Sequence, residues 1–138
     1  MRQIAGTRLW LGNAGDLRDA RTVLDAGIEA VVELADSEPL ATLPRDLIRC
    51  RFPLSDGGDN PPWLLRLAAE SVAALLRSGV YLLVACSAGM SRSIGIAAAG
   101  LALLEDRTFR ETILTVAASG PADVSPEFFA QLQRAMGE

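Results

Sequence analysis

Cys86 and Arg92 stand five residues apart, with Ser87, Ala88, Gly89, Met90 and Ser91 between them and Ser93 directly after. Five small or flexible residues can wrap a tetrahedral oxyanion, their backbone N–H groups aimed at its oxygens. The Arg92 guanidinium adds two parallel donors whose fixed fork matches a phosphate edge. Cysteines at helix N-termini or beside cations ionise readily. The loop that holds the anion therefore also supplies a nucleophile, with a Cys86 thiolate positioned under a bound phosphoryl group for in-line attack. The Ser93 hydroxyl is close enough in sequence to hydrogen-bond the sulfur and help it leave afterwards.

This chemistry needs a rigid seat. Val80 to Ala85 is an almost purely apolar run, too short for a typical helix and rich in strand formers, and it predicts a buried parallel strand. Ile94 to Leu104 predicts a buried helix on the other side of the loop. Strand, tight loop and helix N-terminus form a ready anion site, because unpaired backbone N–H groups and the helix dipole converge there.

The run Cys86-Ser-Ala-Gly-Met-Ser-Arg92-Ser93 resembles the C-x5-R-S signature of the cysteine-dependent protein tyrosine phosphatases. Its Ala88-Gly89-x-Ser91-Arg92-Ser93 portion is most similar to the dual-specificity branch. The segment Arg8 to Asn13 followed by Leu24 to Ile28 also resembles the opening of such domains. The resemblance implies a phosphate loop of Ser87, Ala88, Gly89, Met90, Ser91 and Arg92, with Cys86 as nucleophile, and a general acid on an upstream loop. Phe52-Pro53-Leu54-x-Asp56 matches the position of that acid, which makes Asp56 the first candidate and Asp59 the alternative. Glycines and prolines from Pro53 to Pro62 mark the stretch as a loop. On composition alone both aspartates would read as turn formers.

One departure stands out. The family nearly always carries histidine immediately before the nucleophile, and here the residue is Ala85. Its side chain cannot make the hydrogen bonds that orient the loop. A lost hydrogen bond is worth on the order of 1–2 kcal/mol, roughly tenfold in rate. The amides, the helix dipole and Arg92 remain as the larger electrostatic contributions, so the expectation is a slower enzyme.

Composition narrows the field. With no histidine, Ser-His-Asp and Cys-His catalysis are excluded. Two cysteines and scattered carboxylates make a poor zinc site, and the expected chemistry calls for no metal or cofactor. No nucleotide-binding glycine motif is present. A net charge of −4 argues against nucleic-acid or anionic-membrane partners. The apolar stretches fall short of membrane-spanning or signal-peptide length. Cys50 and Cys86 suit free thiols in a reducing cytoplasm. Cys50 is most simply a small core residue; a protective disulfide with Cys86 is the sharper alternative.

The rest of the chain predicts the scaffold. A strand at 7–12 precedes a helix from Asp16 to Ala26, with Leu17, Ala20, Val23 and Leu24 on one face. Ala30 to Leu34 is the next strand. Ala35 to Pro44 is a polar loop in which Asp36, Ser37 and Glu38 are solvated surface. Alternation from Leu47 to Phe52 predicts a strand with Arg49 and Arg51 on a solvated face. A helix from Trp63 to Arg77 follows, with Trp63 packing at its start. Thr108 and Ser125 cap two further helices. At 138 residues this is one domain, residues 1–138. The expected architecture is α/β: three layers, a mostly parallel sheet of four or five strands, helices on both faces.

Three functions fit. The first is a phosphomonoesterase working through a cysteinyl-phosphate on phosphotyrosine, phosphoserine or phosphothreonine in proteins, or on small phosphoesters, as a monomer. The second is a phosphate-binding module with little turnover, suggested by Ala85. The third is another thiolate enzyme, a sulfurtransferase or arsenate reductase.

Overall fold

A computed structural model describes residues 1–35, 42–44 and 46–138. The polar-loop expectation for Asp36, Ser37 and Glu38 lies outside the described residues. Among those described, five strands form one sheet: β1 (Arg2–Gln3), β2 (Leu9–Asn13), β3 (Ala30–Leu34), β4 (Ile48–Phe52) and β5 (Leu82–Cys86). Their order is β1-β2-β5-β3-β4, parallel throughout except for the β1–β2 edge. This is the expected α/β architecture. The most apolar strand, β5, takes the middle and is buried on both faces.

The helices divide between the two faces. α1 (Ala14–Arg18) and α2 (Ala20–Asp25) cover one; α3 (Pro62–Arg77), α4 (Arg92–Glu105), α5 (Phe109–Ala117) and α6 (Pro126–Ala135) cover the other. Alternation along β5 sends Leu83 and Ala85 towards Leu17 and Val23 of the first pair. It sends Leu82, Val84 and Cys86 towards the larger core. At the centre of that core, α4 is buried from Arg92 to Ala102. Its glycines admit its neighbours: a Cβ on Gly100 would meet Val72 of α3 at 2.3 Å, and one on Gly95 would meet Phe128 of α6 at 2.7 Å.

The single helix expected from Asp16 to Ala26 is instead two. Asp19 breaks it by capping the second piece, its carboxylate accepting from the Thr22 amide at 3.3 Å and the Thr22 hydroxyl at 2.7 Å. A side chain that bonds the backbone locally competes with helix continuation. Leu17 and Val23 point inward as expected, but Leu24 is 46% exposed.

Arg49 and Arg51 do share a face, but it is not merely solvated. They reach Glu33, buried on the neighbouring strand, at 2.8 and 3.3 Å. Trp63, expected to pack, is 60% exposed, because its position at the start of α3 turns it away from the sheet. Cys50 packs half-buried against the core, a free thiol. The disulfide alternative fails on topology. β3 separates the two cysteine-bearing strands, so roughly 10 Å of sheet lies between them, beyond the about 7 Å that a disulfide spans.

Candidate active site

Cys86 ends β5, and the chain then turns through the Ser87–Ser91 loop into α4. The loop rests on the end of β2. The Ala14 amide donates to the Ser87 carbonyl at 3.2 Å. Gly89 adopts φ +73, where a Cβ would come within 2.8 Å of the Gly12 carbonyl oxygen. Asn13 and Asp16 stiffen that support with a reciprocal capping box, Asn13 Oδ1 accepting from the Asp16 amide at 2.9 Å and Asp16 Oδ2 from the Asn13 amide at 2.8 Å.

α4 begins without a side-chain cap; Ser91 occupies the N-cap position, but its hydroxyl is spent elsewhere. The first amides of this long helix thus face the loop rather than a capping side chain, the arrangement that attracts anions. The Ser91 hydroxyl donates to Asp56 Oδ1 at 2.5 Å and accepts from the Ser125 amide at 3.0 Å. Arg92 is buried, with Nη1 donating to the Leu54 carbonyl at 2.8 Å. A buried guanidinium needs partners, and one comes from the same loop that bears Asp56. Cys86 Sγ lies 3.3 Å from Ser93 Oγ, the thiol donating. An ionised sulfur would accept from that hydroxyl instead.

A cavity of about 190 Å³ opens over these groups, lined by Asp56, Cys86, Ser87, Ala88, Met90, Ser91, Arg92 and Asp123. Ser93 sits behind the sulfur, fully buried. Gly89 lines a neighbouring cavity of about 360 Å³ with Ala88, Met90, Asn13 and Arg2. The two expected acids separate here. Asp56 lines the smaller cavity, whereas Asp59 does not and accepts a hydrogen bond from the Ser55 hydroxyl.

Some residues of the site had no sequence signal. Asp123 reaches the rim from the connection between α5 and α6, its amide donating to the Met90 carbonyl at 2.8 Å. Leu54 contributes only a carbonyl, and Ser125 contributes an amide in addition to capping α6. Backbone groups leave no trace in side-chain identity.

No family model and no curated protein matches the sequence. Solved structures do. A mouse chain described as a dual specificity phosphatase, complexed with zinc tungstate, superposes with a TM-score of 0.85 at 26% identity, covering 98% of this chain and 85% of that one. Human DUSP28 gives 0.84 at 24% identity, covering 96% and 93%. The fold is that of the dual-specificity branch of the cysteine-dependent protein tyrosine phosphatases. The human tyrosine phosphatase-like serine/threonine/tyrosine-interacting protein is a further neighbour of this dual-specificity phosphatase fold, at TM-score 0.83 and 19% identity, covering 99% and 95%. Ala85 is fully buried, beside Gly12 on one neighbouring strand and Glu33 on the other.

Proposed function

We propose that this chain, as one catalytic domain, hydrolyses phosphomonoesters through a cysteinyl-phosphate intermediate, acting on phosphotyrosine, phosphoserine or phosphothreonine in proteins. The observation that carries the reading is that Cys86, Arg92 and Asp56 line one small cavity at the uncapped N-terminus of α4. A neighbour of this fold was determined with tungstate, a tetrahedral oxyanion shaped like phosphate.

A phosphoryl group in the cavity takes hydrogen bonds from the amides of Ser87 to Arg92 and from the Arg92 guanidinium. The Cys86 thiolate attacks phosphorus; the S–P bond forms as the P–O bond to the leaving group breaks. Asp56 gives its proton to the departing oxygen. A water then attacks phosphorus and yields a proton to the Asp56 carboxylate. The S–P bond breaks, its electron pair returns to sulfur, and the Ser93 hydroxyl stabilises the thiolate as phosphate leaves. Positioned acids contribute about 10²–10⁴ in such steps. Preorganised oxyanion donors contribute about 10²–10³ each.

Asp56 and Asp123 put two carboxylates on a cavity whose one cationic lining side chain among the described residues is Arg92. This charge balance suits a single phosphate better than a cluster of them, and a phosphoprotein or small phosphoester better than nucleic acid or a membrane headgroup. Two free thiols, one of them the nucleophile, suit a reducing compartment, and the cytoplasm is the proposed location for a monomeric enzyme.

A second reading, oxyanion binding with little turnover, draws on Ala85, which brings no side-chain hydrogen bond to the loop. Release of p-nitrophenol from p-nitrophenyl phosphate decides between them. Activity in the parent chain that disappears in Cys86→Ser supports hydrolysis. Equal background release from both proteins, with tungstate still bound, sinks it.

A further inference from the structure

The loop bearing Asp56 is held from α6, far along the chain. Asn60 and Gln131 are both buried, 5% and 8% exposed, and their amides interlock. Asn60 donates from its backbone N–H and from Nδ2 to Gln131 Oε1, each at 3.1 Å. Gln131 Nε2 returns two bonds, to the Gly58 carbonyl at 2.9 Å and the Asn60 carbonyl at 2.5 Å. Asn60 then closes the loop on itself: its Oδ1 accepts from the Ser55 amide at 2.8 Å, and its Nδ2 donates to the Ser55 carbonyl at 2.9 Å. Every one of these bonds falls on residues 55–60, the segment that carries Asp56. α6 is itself anchored, with Phe128 and Leu132 fully buried in the main core.

Buried amides have to be satisfied, and leaving one unpaired costs more than the bond gains. A loop rich in glycine would otherwise sample many conformations. We infer that Gln131, acting through Asn60, is a positioning residue that sets the height of Asp56 over the leaving-group oxygen. The general-acid loop is therefore a fixed strap tied to α6. This inference rests on the proposed hydrolysis and assigns its acid step a determinant 71 residues away from Asn60 in sequence.

The test is leaving-group dependence. A poor leaving group such as phenolate needs the proton from Asp56; the difluorinated umbelliferone leaves nearly unaided. Gln131→Met keeps the length of the side chain and removes both polar ends. Its kcat/KM should fall about tenfold or more on phenyl phosphate and less than about threefold on the umbelliferyl substrate, since a displaced acid forfeits part of its roughly 10²–10⁴ contribution. An equal fall on both substrates, or no fall on either, overturns the inference. If Gln131→Met does not fold, Gln131→Glu, which keeps the acceptor towards Asn60 and loses both donors, is read by the same criterion. An inert parent chain would instead count against hydrolysis itself. The strap is then read from amide hydrogen exchange at residues 55–60, where acceleration in the variant supports it and an unchanged rate overturns it.

Discussion

Ser91 and Asp56 are joined side chain to side chain at 2.5 Å across a gap of 35 residues. One belongs to the proposed phosphate-binding loop and the other to the proposed general-acid loop, so the two proposed roles meet at one hydrogen bond. The same serine oxygen takes the Ser125 amide at 3.0 Å. Ser91→Ala strands that amide and releases Asp56. Both bonds are part-buried, and losing such a bond costs about 0.5–1.5 kcal/mol. The expected result is a kcat/KM on phenyl phosphate lower by about tenfold, with a smaller loss on an activated ester, measured at matched protein folding by circular dichroism.

Asp56 and Asp59 are three residues apart yet differ in what they face. Asp56→Asn should lower kcat/KM on phenyl phosphate by about 10²-fold or more, the usual scale for removing a positioned acid. Asp59→Asn should change it by less than about threefold, as expected for an exposed side chain whose hydrogen bond to Ser55 is local. Steady-state rates for the two variants side by side decide the assignment. A larger loss in Asp59→Asn would reverse it.

Gly89 is required twice over, by its φ of +73 and by the 2.8 Å approach to the Gly12 carbonyl. Gly89→Ala should destabilise the fold by about 1–3 kcal/mol. It should also weaken tungstate binding, because the loop amides no longer converge. Urea denaturation and tungstate titration check the two parts separately.

Asp123 adds a second carboxylate to the rim. Asp123→Arg should favour phosphopeptides with acidic residues beside the phosphorylated one by about fivefold, the scale of exposed charge pairs. The gain should fade as salt rises. Matched acidic and neutral phosphopeptides at low and high ionic strength provide the comparison.

Acid should loosen the start of α6. The backbone N–H at the helix start and the Ser125 hydroxyl, at 3.0 Å, hold the Glu127 carboxyl below its ordinary 4.5. A carboxyl lowered by folding contributes stability that is present above its unfolded value and lost as pH falls through the folded one. The difference in urea midpoint between the parent chain and Glu127→Gln should therefore shrink between about pH 5 and pH 3. A constant difference across that range would show that the carboxylate plays no such part.

Local chemistry was legible in the sequence because it is local. The spacing from Cys86 to Ser93, an apolar run before it and an apolar helix after it are all contained in a few turns of chain, and each is dictated by nearest neighbours. Capping serine and threonine side chains marked α5 and α6 for the same reason. The failures share an opposite cause. Asp19 divided a helix that periodicity joined, since one side chain's hydrogen bonds carry no period. Arg49 and Arg51 alternated like a solvated face, but a buried Glu33 on the next strand claimed them. Only the packed fold put Asp56, and not Asp59, on the cavity lined by Cys86, brought Asp123 to its rim and tied the loop at residues 55–60 to Gln131. Those contacts join residues dozens of positions apart, and several of their partners are backbone carbonyls or amides, which side-chain identity does not advertise.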